Sequence, residues 1–243
     1  MRYLLTFSYD GKDFSGYQKQ EGLRTVQEEM ERALEFINGG KKTPLTSSGR
    51  TDKGVHALHQ MGHVDIFVDI TEYKLKRALN SNLPEDIHVI DAKKVSNDFH
   101  ARYMVKEKEY KYFLNMGEYE PTKRNYVYQY CKSLNVDAML LASKYFLGVH
   151  DFDSFTPTKD KKDNCVREIF DIKIEKYGDI IVFTFRGNGF LKYQIRNMVG
   201  YLIRVGEGKK KASDIPQILK SKDRRMASIT AHPEGLYLTD VVY

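Results

Sequence analysis

The sequence predicts an α+β fold with a mixed, mostly antiparallel central sheet. Segments in which apolar and polar residues alternate, as they do in strands, are interspersed with segments whose apolar residues recur at helical spacing. Two of the strand-like segments, Ile169–Ile174 and Ile180–Phe185, flank the turn residues Tyr177–Asp179 and indicate a hairpin. Hairpins form antiparallel pairs, and helices with one apolar face must bury that face against another element. This order of elements therefore favours helices packed on a sheet.

The first half of the chain, residues 1–115, is predicted to combine strands with two helices. Its first helix is the best marked, because Thr25 and Glu28 fit a capping box and Gly39-Gly40 follows the last apolar residue. The second helix must stop before Pro84, since the residue before a proline disfavours the helical conformation. The predicted elements are a strand at Tyr3–Tyr9, a helix at Thr25–Asn38, strands at Pro44–Ser48 and His59–Val68, a helix at Glu72–Ser81, and strands at Ile87–Val95 and Glu107–Leu114.

The second half, residues 116–243, has a similar layout and begins in the connection Asn115–Asn135, which we take as the domain boundary. The Lys- and Asp-rich segment Pro157–Asn164 is predicted to be an exposed loop. The predicted elements are a helix from Val136 that ends at Gly148, the hairpin described above, a long helix at Leu191–Val205, a shorter helix at Asp214–Lys220 and a strand at Gly235–Tyr243.

Composition predicts a cytoplasmic protein with a substantial core. With 243 residues, 41% of them hydrophobic, the chain is long enough for one large domain or two modest ones. No apolar run approaches the roughly 20 residues that cross a bilayer, and the first residues lack the pattern of a signal peptide. Cys131 and Cys165 are too few and too far apart for a disulfide framework or a zinc site, so we expect reduced thiols.

The net charge of +6 is unevenly distributed along the chain. Residues 1–120 contain 18 Lys and Arg against 19 Asp and Glu, whereas residues 121–243 contain 21 against 14. The excess is greatest between Arg186 and Arg225, where 11 basic residues stand against 3 acidic ones. Such a segment suits contacts with nucleic-acid phosphates, although charge alone predicts a solvated lysine surface equally well.

One short run places a carboxylate, Asp52, between two cations and two glycines. Arg50 and Lys53 favour the charged form of Asp52, and Gly49 and Gly54 allow the backbone to approach a partner closely. Taken alone, a run of this kind is more often a surface turn with solvated charges. If it forms a site, it presents an ionised carboxylate to a bulky, anionic substrate.

Histidine spacing in the same region raises the alternative of a metal-dependent hydrolase. His56, His59 and His63 have spacings that would suit a metal ion if they lay on a helix. The local alternation indicates a strand instead, in which His56 and His59 point to opposite faces. No neighbouring Cys or second carboxylate cluster completes a site, and glycine-rich phosphate loops are absent. The sequence therefore predicts neither a bound metal nor a cofactor.

Seven short motifs are distributed over about 190 residues of the chain. They are Gly49-Arg50-Thr51-Asp52-x-Gly54-Val55-His56-Ala57, Phe99-His100-Ala101-Arg102, Glu109-Tyr110-x-Tyr112, Gly148-x-His150-Asp151-Phe152, Gly187-x-Gly189-Phe190-Leu191, Arg196-Asn197-x-Val199-Gly200 and Gly235-Leu236-Tyr237-Leu238. Together, and in this order, they resemble the TruA family of tRNA pseudouridine synthases. No single motif decides the resemblance, but a chance match of all seven is very improbable.

The resemblance implies a pseudouridine synthase fold, with two similar α/β halves and a cleft between them. It also implies an isomerase that breaks the N1–C1′ bond of uridine in RNA, turns the uracil over and rejoins it through C5. Such a reaction needs an ionised carboxylate, either as a nucleophile at C1′ or as a base at C2′, and Asp52 is the matching residue. A uridine within a stem must first be flipped out of the base stack.

The resemblance assigns roles to four further residues. Arg196 pairs with Asp52 across the cleft and keeps it charged, and Arg50 occupies the space that the flipped nucleotide leaves. Tyr110 stacks on the uracil, with a hydroxyl that could assist proton movement at C5, and Leu236 packs on the other side of the base. From their own surroundings in the sequence alone, Tyr110 would more often be a core aromatic and Arg196 a helix-surface charge.

The family resemblance also implies the partners. It predicts a homodimer in which one subunit holds the body of the tRNA while the other modifies uridines 38–40 of the anticodon stem-loop. Recognition is then mainly by shape and phosphate contacts, so binding should weaken with salt. The resemblance implies no membrane partner and no small-molecule cofactor.

Two alternatives remain open from the sequence. The same chemistry on ribosomal RNA is one, because Lys192–Ile195 and Ser228–Glu234 depart from the commoner family pattern. A non-catalytic RNA-binding module is the other. The presence of Asp52 together with Tyr110 and Arg196 argues against the second, since a pure binder has no need of a carboxylate near phosphates.

Overall fold

The computed structural model of the chain describes residues 1–157, 164–227 and 229–243. Most of the predicted loop at Pro157–Asn164 therefore lies outside the described residues. Within the described residues the strands and α-helices, in chain order, are β1 Arg2–Tyr9, α1 Val26–Ile37, β2 Thr46–Ser47, β3 His56–Asp65, α2 Glu72–Asn82, β4 Ile87–Val95, β5 Glu107–Asn115, β6 Tyr128–Gln129, α3 Val136–Ser143, β7 Gly148–Asp151, β8 Val166–Tyr177, β9 Ile180–Gly187, α4 Gln194–Gly206, α5 Ile215–Ser221 and β10 Leu236–Val242.

The predicted strands and helices are confirmed, with differences at several ends; the helix predicted to end at Gly148 ends at Ser143, and Gly148 begins β7. Strand β4 begins and ends at the predicted residues, and β8 and β9 form the predicted hairpin. The predicted helix start at Leu191 is wrong, because Tyr193 adopts a left-handed conformation with φ +58° and α4 begins only after it. The short strand β7 was not predicted, since four residues are too few to show a period of two.

The capping box predicted at the start of α1 is also wrong. Thr25 is the N-cap residue, yet its side chain makes no capping hydrogen bond, and its buried hydroxyl has no hydrogen-bond partner among the described residues. Glu28 contacts Lys19 instead, with 3.9 Å between Nζ and Oε1. The predicted end of α1 is confirmed, because Gly39 and Gly40 have φ values of +66° and +82°.

The chain divides into two compact units, one made of residues 1–106 and 237–243 and the other of residues 107–236. The division falls before β5, whereas the sequence analysis placed it after β5, at residue 115. Strand β5 pairs along its length with β9 and so joins the second unit. The end of the chain joins the first unit because β10 pairs in parallel with β3.

The first unit is a mixed, mostly antiparallel sheet covered by two helices. Strand β1 pairs antiparallel with both β3 and β4, β2 pairs antiparallel with β3, and β10 adds a parallel pair. Strand β1 was predicted from the sequence, and its alternate residues are buried. Helix α2 packs against β4 and contacts α1. The buried apolar residues from these elements include Tyr3, Leu5, Phe7, Met30, Leu34, Val64, Leu75, Leu79 and Val89.

The second unit is also mixed and mostly antiparallel. Its strands run in the order β5, β9, β8, β7, all paired antiparallel, and β6 adds a short parallel pair to β5. Helix α3 packs against α4 and β8. Helix α4 is buried over most of its surface, and a Cβ atom at Gly200 would lie 2.0 Å from the carbonyl oxygen of Ile229. The α+β class predicted from the sequence is therefore confirmed in each unit.

The described residues contain no helix long and apolar enough to cross a membrane. Among the same residues no group of three or more His, Cys, Asp and Glu side chains is arranged to hold a metal ion. His56, His59 and His63 lie in strand β3, as the sequence indicated; His56 and His63 are buried and His59 is exposed.

Candidate active site

Asp52 lies in the loop that connects β2 to β3 in the first unit, together with Arg50. The loop closes in a turn in which the amide of Val55 donates to the carbonyl oxygen of Asp52 over 3.1 Å. Gly54, with φ +77°, supplies the left-handed conformation that this turn requires, which explains the glycine in the motif. Asp52 is half-buried and Arg50 is exposed. The loop thus presents both polar side chains beside a rigid turn.

A buried hydrogen-bond network holds this loop from behind. The Tyr9 hydroxyl and the Thr51 Oγ1 are 2.8 Å apart, and the Gln60 side chain donates to the carbonyl oxygen of Gly49 over 3.2 Å. Ser48 in turn donates to Gln60 over 2.7 Å. Because the residues on either side of Arg50 are fixed by β1 and β3, the backbone that carries Asp52 has little freedom to shift.

Burial keeps the Tyr9 hydroxyl in its neutral form. Loss of solvation raises the pKa of Tyr9 to about 12, so it remains protonated at any physiological pH. Its ring lies 6.3 Å from that of Tyr17, whose backbone amide donates to the carbonyl oxygen of Thr51 over 3.1 Å. Thr51 is therefore held through both its side chain and its backbone.

The far end of the motif is fixed by His56, the first residue of β3. Its Nδ1 accepts a hydrogen bond from the amide of Gly11 over 3.0 Å, and its ring stacks on Tyr237 of β10 at 4.6 Å. The backbones approach so closely here that a Cβ atom at Gly11 would lie 2.0 Å from the carbonyl oxygen of Val55. His56 thus anchors the motif structurally through its contacts with Gly11 and Tyr237.

Tyr110 lies in β5 of the second unit, where it is only 7% exposed. It stands opposite Phe185 in the pairing of β5 with β9, and its ring meets Phe190 edge-on with centroids 5.3 Å apart. The neighbouring motif residue Tyr112 is fully buried and donates its hydroxyl hydrogen to the carbonyl oxygen of His232 over 2.8 Å. Of the two tyrosines, Tyr112 has the clearer structural role.

Arg196 lies in the first turns of α4, also in the second unit, and its position is held from two sides. Its Nε donates to the carbonyl oxygen of Ala231 over 2.8 Å, and its guanidinium carbon lies 4.8 Å from the ring centroid of Tyr193. Tyr193 is the residue with the left-handed conformation, which is unusual for a tyrosine and is often found near functional sites. The sequence carries no signal for this conformation.

Leu236 is 5% exposed and is the last residue of the second unit. The residue before it, Gly235, allows a close approach to β5, because a Cβ atom there would lie 2.5 Å from the carbonyl oxygen of Phe113. The structure therefore groups the predicted site residues by unit: Asp52 and Arg50 share one loop of the first, and the other three belong to the second.

Comparison with known proteins identifies the family. The family model described as tRNA pseudouridine synthase matches residues 5–104 and 142–243. The chain belongs to the tRNA pseudouridine synthase family. Among curated proteins named tRNA pseudouridine synthase A, that of Geobacillus sp. is 44% identical over 239 residues, covering 98% of this chain and 96% of the relative. Those of Limosilactobacillus fermentum and Streptococcus pneumoniae serotype 19F are 43% and 42% identical and cover all of this chain, with 96% and 98% of the relatives covered.

The match to the tRNA pseudouridine synthase family includes four of the five predicted site residues. Asp52, Arg50, Arg196 and Leu236 fall within the matched segments, whereas Tyr110 lies in the intervening stretch 105–141. That stretch is covered by the alignments with the tRNA pseudouridine synthase A relatives. The residues that sequence analysis missed are those behind the motif, above all Tyr9, which is distant from it in the chain, and Gln60, which follows it closely but carries no signal of its own.

Proposed function

We propose that this protein isomerises uridine to pseudouridine in tRNA, with Asp52 as the catalytic carboxylate. The observation that carries the proposal is the identity of 42–44% to proteins named tRNA pseudouridine synthase A over essentially the whole chain. It is supported by the position of Asp52, half-buried in a loop that is held on both sides by buried hydrogen bonds.

The reaction rearranges bonds within one nucleotide and needs no oxidant, reductant or energy source. The N1–C1′ bond breaks, a C5–C1′ bond forms, the proton leaves C5 and N1 gains one, so product and substrate are isomers. An aspartate contributes either by attacking C1′ to form a covalent ester or by removing the C2′ hydrogen. Both routes require Asp52 to be ionised and held within reach of the sugar, and the hydrogen bonds that fix the loop support a defined position for its carboxylate.

For the other residues we propose the roles that the family resemblance implies. Arg196 keeps the catalytic carboxylate charged, and its anchoring by Ala231 and Tyr193 supports a fixed guanidinium. Arg50, exposed on the same loop as Asp52, replaces the flipped nucleotide in the stem. Tyr110 and Leu236 contact the uracil, where their apolar surfaces would exclude water.

The target uridines, the oligomeric state and the cellular location are also proposed from the family resemblance. We propose uridines 38–40 of the anticodon stem-loop as the targets, a homodimer as the active assembly and the cytoplasm as the location. Sedimentation of the purified protein at micromolar concentration tests the assembly, and a monomer under those conditions would contradict it. The target positions are tested together with the catalytic residue.

The decisive experiment maps pseudouridines in tRNA and ribosomal RNA from cells that lack the gene, complemented with the wild-type protein or Asp52→Asn. We expect wild type to restore modification at positions 38–40 and Asp52→Asn to restore none, because the amide is neither a nucleophile nor a base. The variant should still bind tRNA, since the substitution removes a charge that phosphates repel. Asp69→Asn, at an exposed residue of the same unit, is the matched control and should restore modification fully.

The outcomes separate the alternatives. Modification restored only in ribosomal RNA would redirect the same chemistry to another substrate. Continued turnover by Asp52→Asn would overturn the assignment of the carboxylate, and tRNA binding without any modification by the wild type would support a non-catalytic binding module.

A further inference from the structure

The motif Phe99–Arg102 plays no part in the proposed chemistry, yet the structure holds it in one conformation. It belongs to the segment between β4 and β5 in the first unit. Ala101 at its centre is fully buried, whereas Arg102 and Tyr103 are exposed. The backbone amide of Met104 donates to the carbonyl oxygen of His100 over 3.1 Å and closes the turn.

Two imidazoles satisfy the backbone amides of this turn. Nδ1 of His63, a buried residue of β3, accepts from the amide of Ala101 over 3.1 Å. Nδ1 of His100 accepts from the amides of Arg102 and Tyr103 over 3.2 and 3.3 Å. Three consecutive backbone amides, those of residues 101–103, thereby have hydrogen-bond partners within the protein.

The carbonyl oxygens of the segment are bound as well. Arg2 of β1 donates to the carbonyl oxygens of Asn97 and Phe99 over 2.6 and 2.9 Å. The hydroxyl of Tyr243 donates to the carbonyl oxygen of Ala101 over 2.7 Å, and its ring meets that of Phe99 at 4.9 Å. Contacts from β1, β3 and the chain end therefore fix a segment that would otherwise be an exposed loop.

The fixed turn exposes the aromatic ring of Tyr103 and the cation of Arg102. Tyr103 is 79% exposed, and one face of its ring stacks on His100, with centroids 4.3 Å apart and planes at 27°. Arg102 next to it forms no ion pair with any carboxylate of the described residues. A large aromatic side chain that is backed by a second ring and carried on a rigid backbone can bind a partner with little loss of conformational entropy.

We propose that Tyr103 and Arg102 form a contact for the RNA substrate outside the catalytic loop, with a base stacked on the open face of Tyr103 and a phosphate bound by Arg102. Base stacking on exposed aromatic rings and pairing of guanidinium with phosphate are the two general means by which proteins hold single-stranded or looped RNA. An RNA occupant is favoured over a protein because the exposed cation beside the ring would attract a phosphate. This inference rests on the proposed function, since it takes tRNA as the ligand.

The experiment measures the Kd of an unmodified tRNA transcript for single variants at several salt concentrations. Tyr103→Ala should raise Kd about 5- to 100-fold, the usual cost of losing one stacked base, while Tyr103→Phe should stay within about twofold. Arg102→Gln should weaken binding and lower the slope of log Kd against log salt by about 0.7–0.9, the value for one lost phosphate contact.

Tyr73→Ala is the matched control. Tyr73 is 68% exposed on α2 in the same unit, but its ring faces the guanidinium of Arg77 at 5.7 Å instead of a second aromatic ring. We expect its Kd to remain within about twofold of wild type, by the stacking argument above. A Kd for Tyr103→Ala that equals that of Tyr73→Ala would overturn the inference, as would a loss of binding in Tyr103→Phe as large as in Tyr103→Ala.

Failure of this inference can be distinguished from failure of the proposed function. If wild type forms pseudouridine in tRNA and Tyr103→Ala binds tRNA as tightly as wild type, only the contact at Tyr103 is refuted. If wild type neither modifies nor binds tRNA, the proposed function fails, and this inference fails with it. Thermal unfolding of each variant verifies that the turn still folds, which we expect because the Tyr103 ring is largely exposed.

Discussion

At the scale of single residues, the hydroxyl of Thr51 links the loop that carries Asp52 to the core. Thr51 precedes Asp52 and is only 9% exposed, and its Oγ1 lies 2.8 Å from the buried hydroxyl of Tyr9. A side chain beside a catalytic group acts on the rate when it fixes the position of that group, because misplacement by about 1 Å can lower a rate about 100-fold. If Asp52 is the catalytic carboxylate, as we propose, Thr51 acts as a positioning residue whose loss should reduce both stability and turnover.

We expect Thr51→Val to lower kcat about tenfold or more with little change in KM, through loss of positioning. The free energy of unfolding should fall by about 1–3 kcal/mol, because the Tyr9 hydroxyl loses a buried partner. Thr51→Ser keeps the hydroxyl and should restore most of kcat. Steady-state kinetics on a tRNA transcript, combined with urea unfolding, measures both quantities.

The control for this prediction is Thr43→Val. Thr43 is a buried threonine of the same unit, and its hydroxyl accepts from Asn38 over 2.7 Å and donates to the carbonyl oxygen of Lys41. The variant Thr43→Val should lower the free energy of unfolding as Thr51→Val does, but it should leave kcat unchanged. Equal losses of kcat in the two variants would show that the effect of Thr51 is stability alone.

At the scale of elements, the helix N-termini differ in how they are capped. Asn135 accepts a hydrogen bond from the amide of Ala138 at the start of α3 over 2.9 Å, as an N-cap residue is expected to do. Thr25 occupies the same position in α1 but makes no such bond, and its fully buried hydroxyl has no partner among the described residues. A polar N-cap residue therefore stabilises the start of α3, whereas the unpaired hydroxyl of Thr25 destabilises the start of α1.

We expect Asn135→Ala to lower the free energy of unfolding by about 1 kcal/mol, the usual cost of losing a cap. Thr25→Val keeps the shape of the side chain and removes an unpaired buried hydroxyl, so it should leave the stability unchanged or raise it by about 1 kcal/mol. Urea unfolding of both variants measures the difference, and a loss of stability in Thr25→Val would mean that its hydroxyl is satisfied after all, for example by a bound water.

Prediction from sequence succeeded for elements with strong periodicity and failed where a tertiary contact decided the conformation. Strand β1 and the glycines that end α1 depend on local sequence, and both were predicted correctly. The start of α4 was not, because Tyr193 adopts a left-handed conformation in which its ring lies beneath Arg196. Nothing in the sequence favours that conformation, which only the packed structure stabilises.

At the scale of the whole molecule, the net charge belongs to one of the two units. The first unit contains 16 Lys and Arg against 16 Asp and Glu, and the second contains 23 against 17, which accounts for the net charge of +6. Long-range attraction of an anionic RNA should therefore depend mainly on the second unit, and binding should weaken linearly in log salt.

We expect the double variant Lys210→Gln/Lys211→Gln to lower the slope of log Kd against log salt by up to about 2, since each lost phosphate contact contributes roughly 0.9. Both lysines are exposed in the second unit. The control, Lys41→Gln/Lys42→Gln, changes two exposed lysines of the first unit and should leave the slope unchanged. Measurements of tRNA binding between low and physiological salt provide the slopes, and equal slopes for both double variants would contradict a role for the second unit's charge.

The sequence by itself determined the α+β class, the order of the elements and the motif that carries Asp52, because periodicity, turn residues and short motifs are local in the chain. Only the tertiary structure decided what holds that motif. Tyr9 is 42 residues from Thr51, and His63 is 38 residues from Ala101, yet each pair is joined by a buried hydrogen bond. Contacts between residues so distant in the chain arise from the pairing of strands and the burial of their side chains, and no local pattern encodes them.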